Sequence, residues 1–217
     1  MSQRHPEPEP NDRPGQKAKH TASYMADNLC KGFIYHDQRE REKAVNAFAA
    51  VDKLQFAHLD EEEAYQAAQG YVDALWVKDD IEESCRVDGE LDPDALQAAD
   101  WSKMTAAFER RAEAAGIDTR YAELTTQAWI EHKVGGDYWT PMMHAQMLEL
   151  RAALQDPTYP DKPRHGQGGF GPEPARYALG NELHDTREWE EAREVMTPYF
   201  QHILDERDED ADSYAAD

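Results

Sequence analysis

Cysteine is scarce: Cys30 and Cys85 are the only two in 217 residues. Two thiols this far apart in sequence form neither a disulfide framework nor a zinc knuckle, so they read as reduced, partly buried side chains. Long apolar runs are missing as well. No stretch approaches the ~18 apolar residues that a membrane helix needs, and the polar, Pro-rich segment from Met1 to Gly15 has no apolar centre of the signal-peptide kind. The expectation is a chain that neither crosses a membrane nor leaves the cell by a conventional signal. Period-two alternation never lasts long enough to propose a sheet, and no period of 20 to 50 residues recurs to suggest a solenoid. Basic residues are few: 23 Lys and Arg stand against 45 Asp and Glu, for a formal net charge of -22.

That surplus of acid bears on partners more than on fold. A field this negative repels nucleic acid and anionic lipid, so neither direct nucleic-acid binding nor membrane association is expected. The chain is not a disordered acidic tail, because 40% of its residues are hydrophobic and 10% aromatic, enough apolar surface to offset chain entropy. Carboxylates occur in every predicted helix instead of gathering on one face, Arg (14) outnumbers Lys (9), and mean hydropathy is -0.92. Spread acid of this kind fits the solvated surface of a salt-adapted protein better than a mimic of the phosphate backbone.

Helical spacing organises what is apolar. After an extended arm over residues 1–20, a short helix from Ser23 to Cys30 is expected to end at Gly32. Asp37 with Glu40 reads as a capping box for a helix carrying Ala44, Val45, Phe48, Val51 and Leu54, and Asp60 with Glu63 as a second box for Ala64, Ala68, Tyr71, Val72 and Leu75. Asp92 and Pro93 open a helix that places Trp101, Met104, Phe108, Ala112 and Ala115 on one stripe and stops at Gly116. Asp118 caps the next, which bears Tyr121, Leu124, Ala128 and Trp129 and closes at Gly135 and Gly136. Thr140 and Pro141 start another, with Met143, Met147, Leu150 and Leu154 inward and Pro157 beyond its end. Residues 156–174 are rich in Pro and Gly. A short helix near Ala175 to Leu183 and a longer one with Trp189, Ala192 and Met196 follow, the latter kinked or restarted at Pro198 with Thr197 as cap. The fold class is therefore all-α, a helical bundle of about six to eight helices: arm 1–20, helical core 21–155, Pro/Gly loop 156–174, further helices 175–204 of the same domain, and an acidic tail 205–217 expected to be unfolded.

No pattern specifies a reaction. Glu131 and His132 are adjacent, hence about 100° apart on a helix, which is poor for joint metal ligation even with Asp137, Tyr138 and His144 nearby in sequence. The Glu131, His132 and His144 neighbourhood is the most plausible centre for a metal-dependent enzyme. His36 beside Asp37 and His184 beside Asp185 read as capping or surface histidines. The glycine-rich stretch from Arg164 to Gly171 lacks the preceding strand and the Lys entering a helix that a phosphate loop requires. No catalytic, cofactor-binding or metal-ligating residue is assigned, and no cofactor is expected.

The expectation is a non-catalytic structural or interaction protein of a halophile, working with protein partners or as a homo-oligomer within a larger assembly. A virion connector or adaptor, or an accessory subunit of a cytoplasmic complex, fits that outline, which places the chain in the cytoplasm of a halophilic host or inside a virus particle. Its interface candidates are Arg4, Arg13, Lys17 and Lys19 in a locally basic arm, Tyr138 and Trp139 on a constrained turn, and Arg164 and Phe170 in the long loop. The alternative is an acidic nucleic-acid mimic that inhibits a DNA-binding protein through Glu61, Glu62, Glu63, Asp79, Asp80, Glu82 and Glu83.

Overall fold

The computed structural model describes residues 14–159 and 189–214. Over them the chain is mostly helical: α1 Pro14–Asp37, α2 Arg41–Gln55, α3 Glu61–Ser84, α4 Pro93–Ala98, α5 Ser102–Ala115, α6 Arg120–Val134, α7 Trp139–Leu154 and α8 Trp189–Tyr214. A single two-stranded hairpin interrupts them, β1 Arg86–Val87 paired antiparallel with β2 Glu90–Leu91. Its turn is Asp88 and Gly89, both left-handed at φ 54° and 87°, the pairing that a tight hairpin favours.

Neighbours along the chain pack on one another: α1 on α2, α2 on α3, α3 on α5, α5 on α6, and α6 on α7. The last described helix, α8, returns to lie on α1 and touches α7. One continuous core results. It includes Met25, Leu29 and Phe33 of α1, Phe48 and Val51 of α2, Tyr71 and Leu75 of α3, Met104 and Phe108 of α5, and Met196, Phe200 and Ile203 of α8. Aromatic rings meet edge to face at its centre, Phe33 with Phe48 at 5.2 Å and Phe48 with Tyr71 at 5.0 Å between centroids.

Several local expectations hold. Asp60 accepts from the Glu63 amide while Glu63 accepts from the Asp60 amide, both at 2.9 Å, a complete capping box. Asp92 caps α4, with Pro93 at its first position. Gly116 and Gly135 end α5 and α6 in left-handed conformation.

Others are corrected. Asp118, expected as the cap of α6, stands one residue before it: Thr119 holds the cap position with no side-chain cap bond, and Asp118 accepts the Arg120 amide at 3.0 Å. The arm is not extended throughout, because α1 begins at Pro14 and already buries Ala18. Nor does α1 stop at Gly32; it runs on to Asp37, and Gly32 is where the Phe48 ring packs, 2.6 Å from where a Cβ would stand. Asp37 forms no capping box. The chain turns through Arg39 at φ 60°, and Glu40 stands before α2 with no side-chain cap. The helix expected from Pro93 to Gly116 is two, broken around Trp101, whose indole donates to the Leu96 carbonyl at 3.0 Å. At Pro198 α8 neither ends nor restarts: Thr197 donates its hydroxyl back to the Arg193 carbonyl at 2.9 Å instead of capping. The expected unfolded tail is helical from Asp205 to Tyr214. Most of the Pro/Gly loop, the helix expected near Ala175 to Leu183, and His184 with Asp185 lie outside the described residues.

Candidate functional site

Three charged side chains sit where apolar ones are the rule. Arg111 of α5 is fully buried and donates to both oxygens of Asp52 on α2, at 2.8 and 3.1 Å, and to Glu149 of α7 at 2.9 Å. Its guanidinium also lies 5.2 Å from the centre of the Tyr71 ring and 5.9 Å from that of Phe56. Burial works against the Arg111 charge, but Asp52, Tyr121 and Glu149 outweigh it and hold its pKa well above the ordinary value. Each member lies on an inner stripe: Met104, Phe108, Arg111 and Ala115 step four, three and four apart, Asp52 follows Phe48 by four, and Glu149 follows Ala145 by four. A charge in core register is the signal that the sequence carries for this site.

Above this pair of carboxylates, α3 and α5 touch closely at Gly70. A Cβ there would stand 2.8 Å from the Arg111 amide nitrogen and 2.9 Å from the Ala107 carbonyl oxygen. Beside that contact opens a polar groove of about 630 Å³, walled by Glu62, Glu63, Tyr65, Arg110 and Glu113. Its carboxylates are already engaged in part, since Glu63 belongs to the capping box and Glu62 accepts from Gln66 at 3.0 Å. Asp73 ties Arg41 of α2, at 2.5 Å, to Arg110 of α5, at 3.3 Å.

A second charged cluster joins the ends of α1 and α3 to α6. His36, 1% exposed, faces Asp79 at 3.5 Å and Asp37 at 4.0 Å, so it is a core histidine and not a surface one. Lys78 is buried between Asp79 and Glu82, its ammonium 4.9 Å from the centre of the Trp129 ring, and Lys133 approaches Glu82 at 3.9 Å. Of the acidic row that a nucleic-acid mimic would use, Glu61, Glu62, Glu63, Asp80 and Glu83 are exposed, and Asp79 and Glu82 are not. Glu61 to Glu63 fill the first turn of α3, where a helix dipole favours acid. Asp79 and Glu82 turn to the cluster, Glu83 pairs with Arg86 at 3.2 Å, and about 27 Å of helix separates the two groups.

The Tyr138 and Trp139 turn is braced from both sides. Gly135 closes α6, the Gly136 amide donates to the Glu131 carbonyl at 2.7 Å, and the Glu131 carboxylate covers the space a Gly136 side chain would need. Asp137 accepts from the Thr140 amide at 3.3 Å and its hydroxyl at 2.9 Å. Tyr138 is half-buried against the His132 ring, 4.8 Å between centroids, whereas Trp139 is 42% exposed at the start of α7. Glu131 and His132 thus brace a turn, and His144 is half-buried on α7. Among the described residues no three His, Cys, Asp or Glu side chains stand together as a metal site requires. Of the other interface candidates, Lys17 and Lys19 are exposed on α1, while Arg4, Arg13, Arg164 and Phe170 lie outside the described residues.

No described helix is long and apolar enough to cross a membrane. The chain matches no family model, no curated protein and no solved structure.

Proposed function

We propose that this chain is a non-catalytic helical interaction protein, an acid-coated subunit of a larger assembly in a salt-rich host. One observation carries the reading: Trp139, a large aromatic side chain, is left 42% exposed on a turn that Asp137, Thr140, Gly135 and Gly136 hold in place. A rigid aromatic ring buries much area on binding at little entropic cost, which is why such residues dominate interface energetics. The dense charged groups, by contrast, are spent on each other. Arg111 with Asp52 and Glu149 joins three helices, Lys78 pairs with Asp79 and Glu82 within α3, and neither group holds a nucleophile with an adjacent base. A connector or accessory subunit suits these features, as does a partner surface recognised in high salt, where apolar contact outlasts charge.

The native mass in molar KCl tests this, measured by light scattering on the full chain and on Trp139→Ala. The expected result is an assembly that the substitution reduces to smaller species at unchanged helicity. Equal masses for the two proteins would overturn the assignment of this turn as the interface.

A further inference from the structure

Resting on the Trp139 interface assigned above, we propose that the end of the molecule where α3 and α6 finish is a docking surface for a basic segment of another protein, one that presents apolar side chains flanked by Lys or Arg.

Two separate elements bring apolar surface to this end. Among the described residues three large apolar side chains are exposed, Tyr24, Val87 and Trp139. Lys133, in the last turn of α6, lies 3.9 Å from Glu82, in the last turn of α3, so the two helices finish together. Val87 follows Glu82 by five residues and Trp139 follows Lys133 by six, which puts both near that contact. The hairpin is tied to α6 from its other side too, because α4, which follows it directly, packs on α6. Val87 is 59% exposed on a hairpin pinned at its base: Cys85 before it is buried, and the Cys85 carbonyl accepts the Asp92 amide at 2.9 Å. An apolar side chain displayed on pinned backbone loses little entropy on binding.

The charge around these side chains is one-sided. The cations of this end are already held by acids of the same chain: Arg39 by Asp79 at 3.7 Å, Lys78 by Asp79 and Glu82, Lys133 by Glu82, and Arg86 by Glu83 at 3.2 Å while it also donates to the Gly89 carbonyl at 3.3 Å. Asp80, Asp88 and Glu90 are exposed and pair with no cation among the described residues. Val87 and Trp139 therefore stand among uncompensated carboxylates. A second copy presenting the same face would bring like charges together, which opposes association, whereas Lys or Arg beside an apolar anchor matches both features at once.

The test uses the full chain and a labelled peptide of alternating Leu and Lys, read by fluorescence anisotropy, with every variant checked for unchanged helicity. Any basic peptide is drawn to a chain this acidic, so position decides. Asp80→Lys with Glu90→Lys removes acid at the docking end; Glu62→Lys with Glu123→Lys, at the opposite ends of α3 and α6, makes the same change in net charge elsewhere. At about 0.1 M KCl the first pair is expected to weaken binding about tenfold more than the second, and equal weakening would overturn the proposal as diffuse attraction. Val87→Ser and Trp139→Ala should each weaken binding about tenfold, and still do so at about 1 M KCl, where charge is screened. Loss through Trp139→Ala with none through Val87→Ser would overturn the shared surface and leave Trp139 an interface residue. Unaffected binding in both would overturn the proposal, and an unchanged native mass for Trp139→Ala would then remove the Trp139 interface as well. Self-association of the purified chain that Val87→Ser abolishes would seat a second copy here and overturn it too.

Discussion

Arg111 holds its charge where no water reaches, with Asp52 and Glu149 buried beside it. Removing the cation leaves two carboxylates facing each other in the core, so Arg111→Ala is expected to cost about 3 to 5 kcal/mol in urea unfolding. Replacing all three together with Met and Leu of similar volume should recover most of that loss, since the pair's desolvation nearly cancels its attraction. A triple variant as unstable as the single one would show that the network is worth more than its charges. Cys30 provides a pH signature. Burial first, and the Asp27 charge second, push its thiol up from 9.0 to about 11. A raised folded pKa means that the protonated thiol stabilises the fold fully below pH 9 and that this contribution is lost as pH rises through about 11. Urea unfolding of the intact protein and Cys30→Ala between pH 8 and 11 should show the difference in stability shifting toward the variant across that window, and a constant difference would remove the coupling.

At the scale of elements, small residues decide how near two helices come. Gly70 lets the α5 backbone approach α3, with the Arg111 amide and Ala107 carbonyl where a side chain would be. Backbone cannot move aside as a flexible side chain can. Gly70→Ala is therefore expected to cost about 1 to 3 kcal/mol through overpacking despite the gain in helix propensity, with a matching fall in the urea midpoint. A stabilised variant would mean that α3 and α5 slide apart freely. The capping chemistry follows the same division between local and distant causes. Asp60 caps because its whole box lies within four residues, whereas Asp37 sits at the end of α1, beside His36, because α1 continues through Gly32 against Phe48.

For the whole molecule, a net charge of -22 destabilises the compact state through self-repulsion. Screening shortens its range from about 10 Å at 0.1 M salt to about 3 Å at 1 M. The melting temperature and helicity are expected to rise from low to molar KCl, read by circular dichroism over a salt series. Identical melting at both ends would remove the support for a salt-adapted surface. The same scale decides how to truncate. Removing residues 1–13 probes the arm, but removing residues 1–20 also takes the first turns of α1 and the buried Ala18.

Local pattern alone determined that this chain is helical, where α3, α4 and the ends of α5 and α6 are punctuated, and that Tyr138 and Trp139 stand on a constrained turn into α7. Each of those features is made by residues within a turn or two of one another: the Asp60 and Glu63 box, Asp92 with Pro93, and the left-handed Gly116 and Gly135. The Asp88 and Gly89 hairpin is equally local, made by two successive left-handed residues. Tertiary packing decided the rest. Gly32 continues a helix because the Phe48 ring fills its open side, and α8 runs past Pro198 because its apolar stripe is held against the core and Arg207 is held by carbonyls more than 50 residues away. The buried Arg111, Asp52 and Glu149 belong to three helices 38 and 59 residues apart in sequence, so spacing places each on an inner face but only the packed fold brings them to one point.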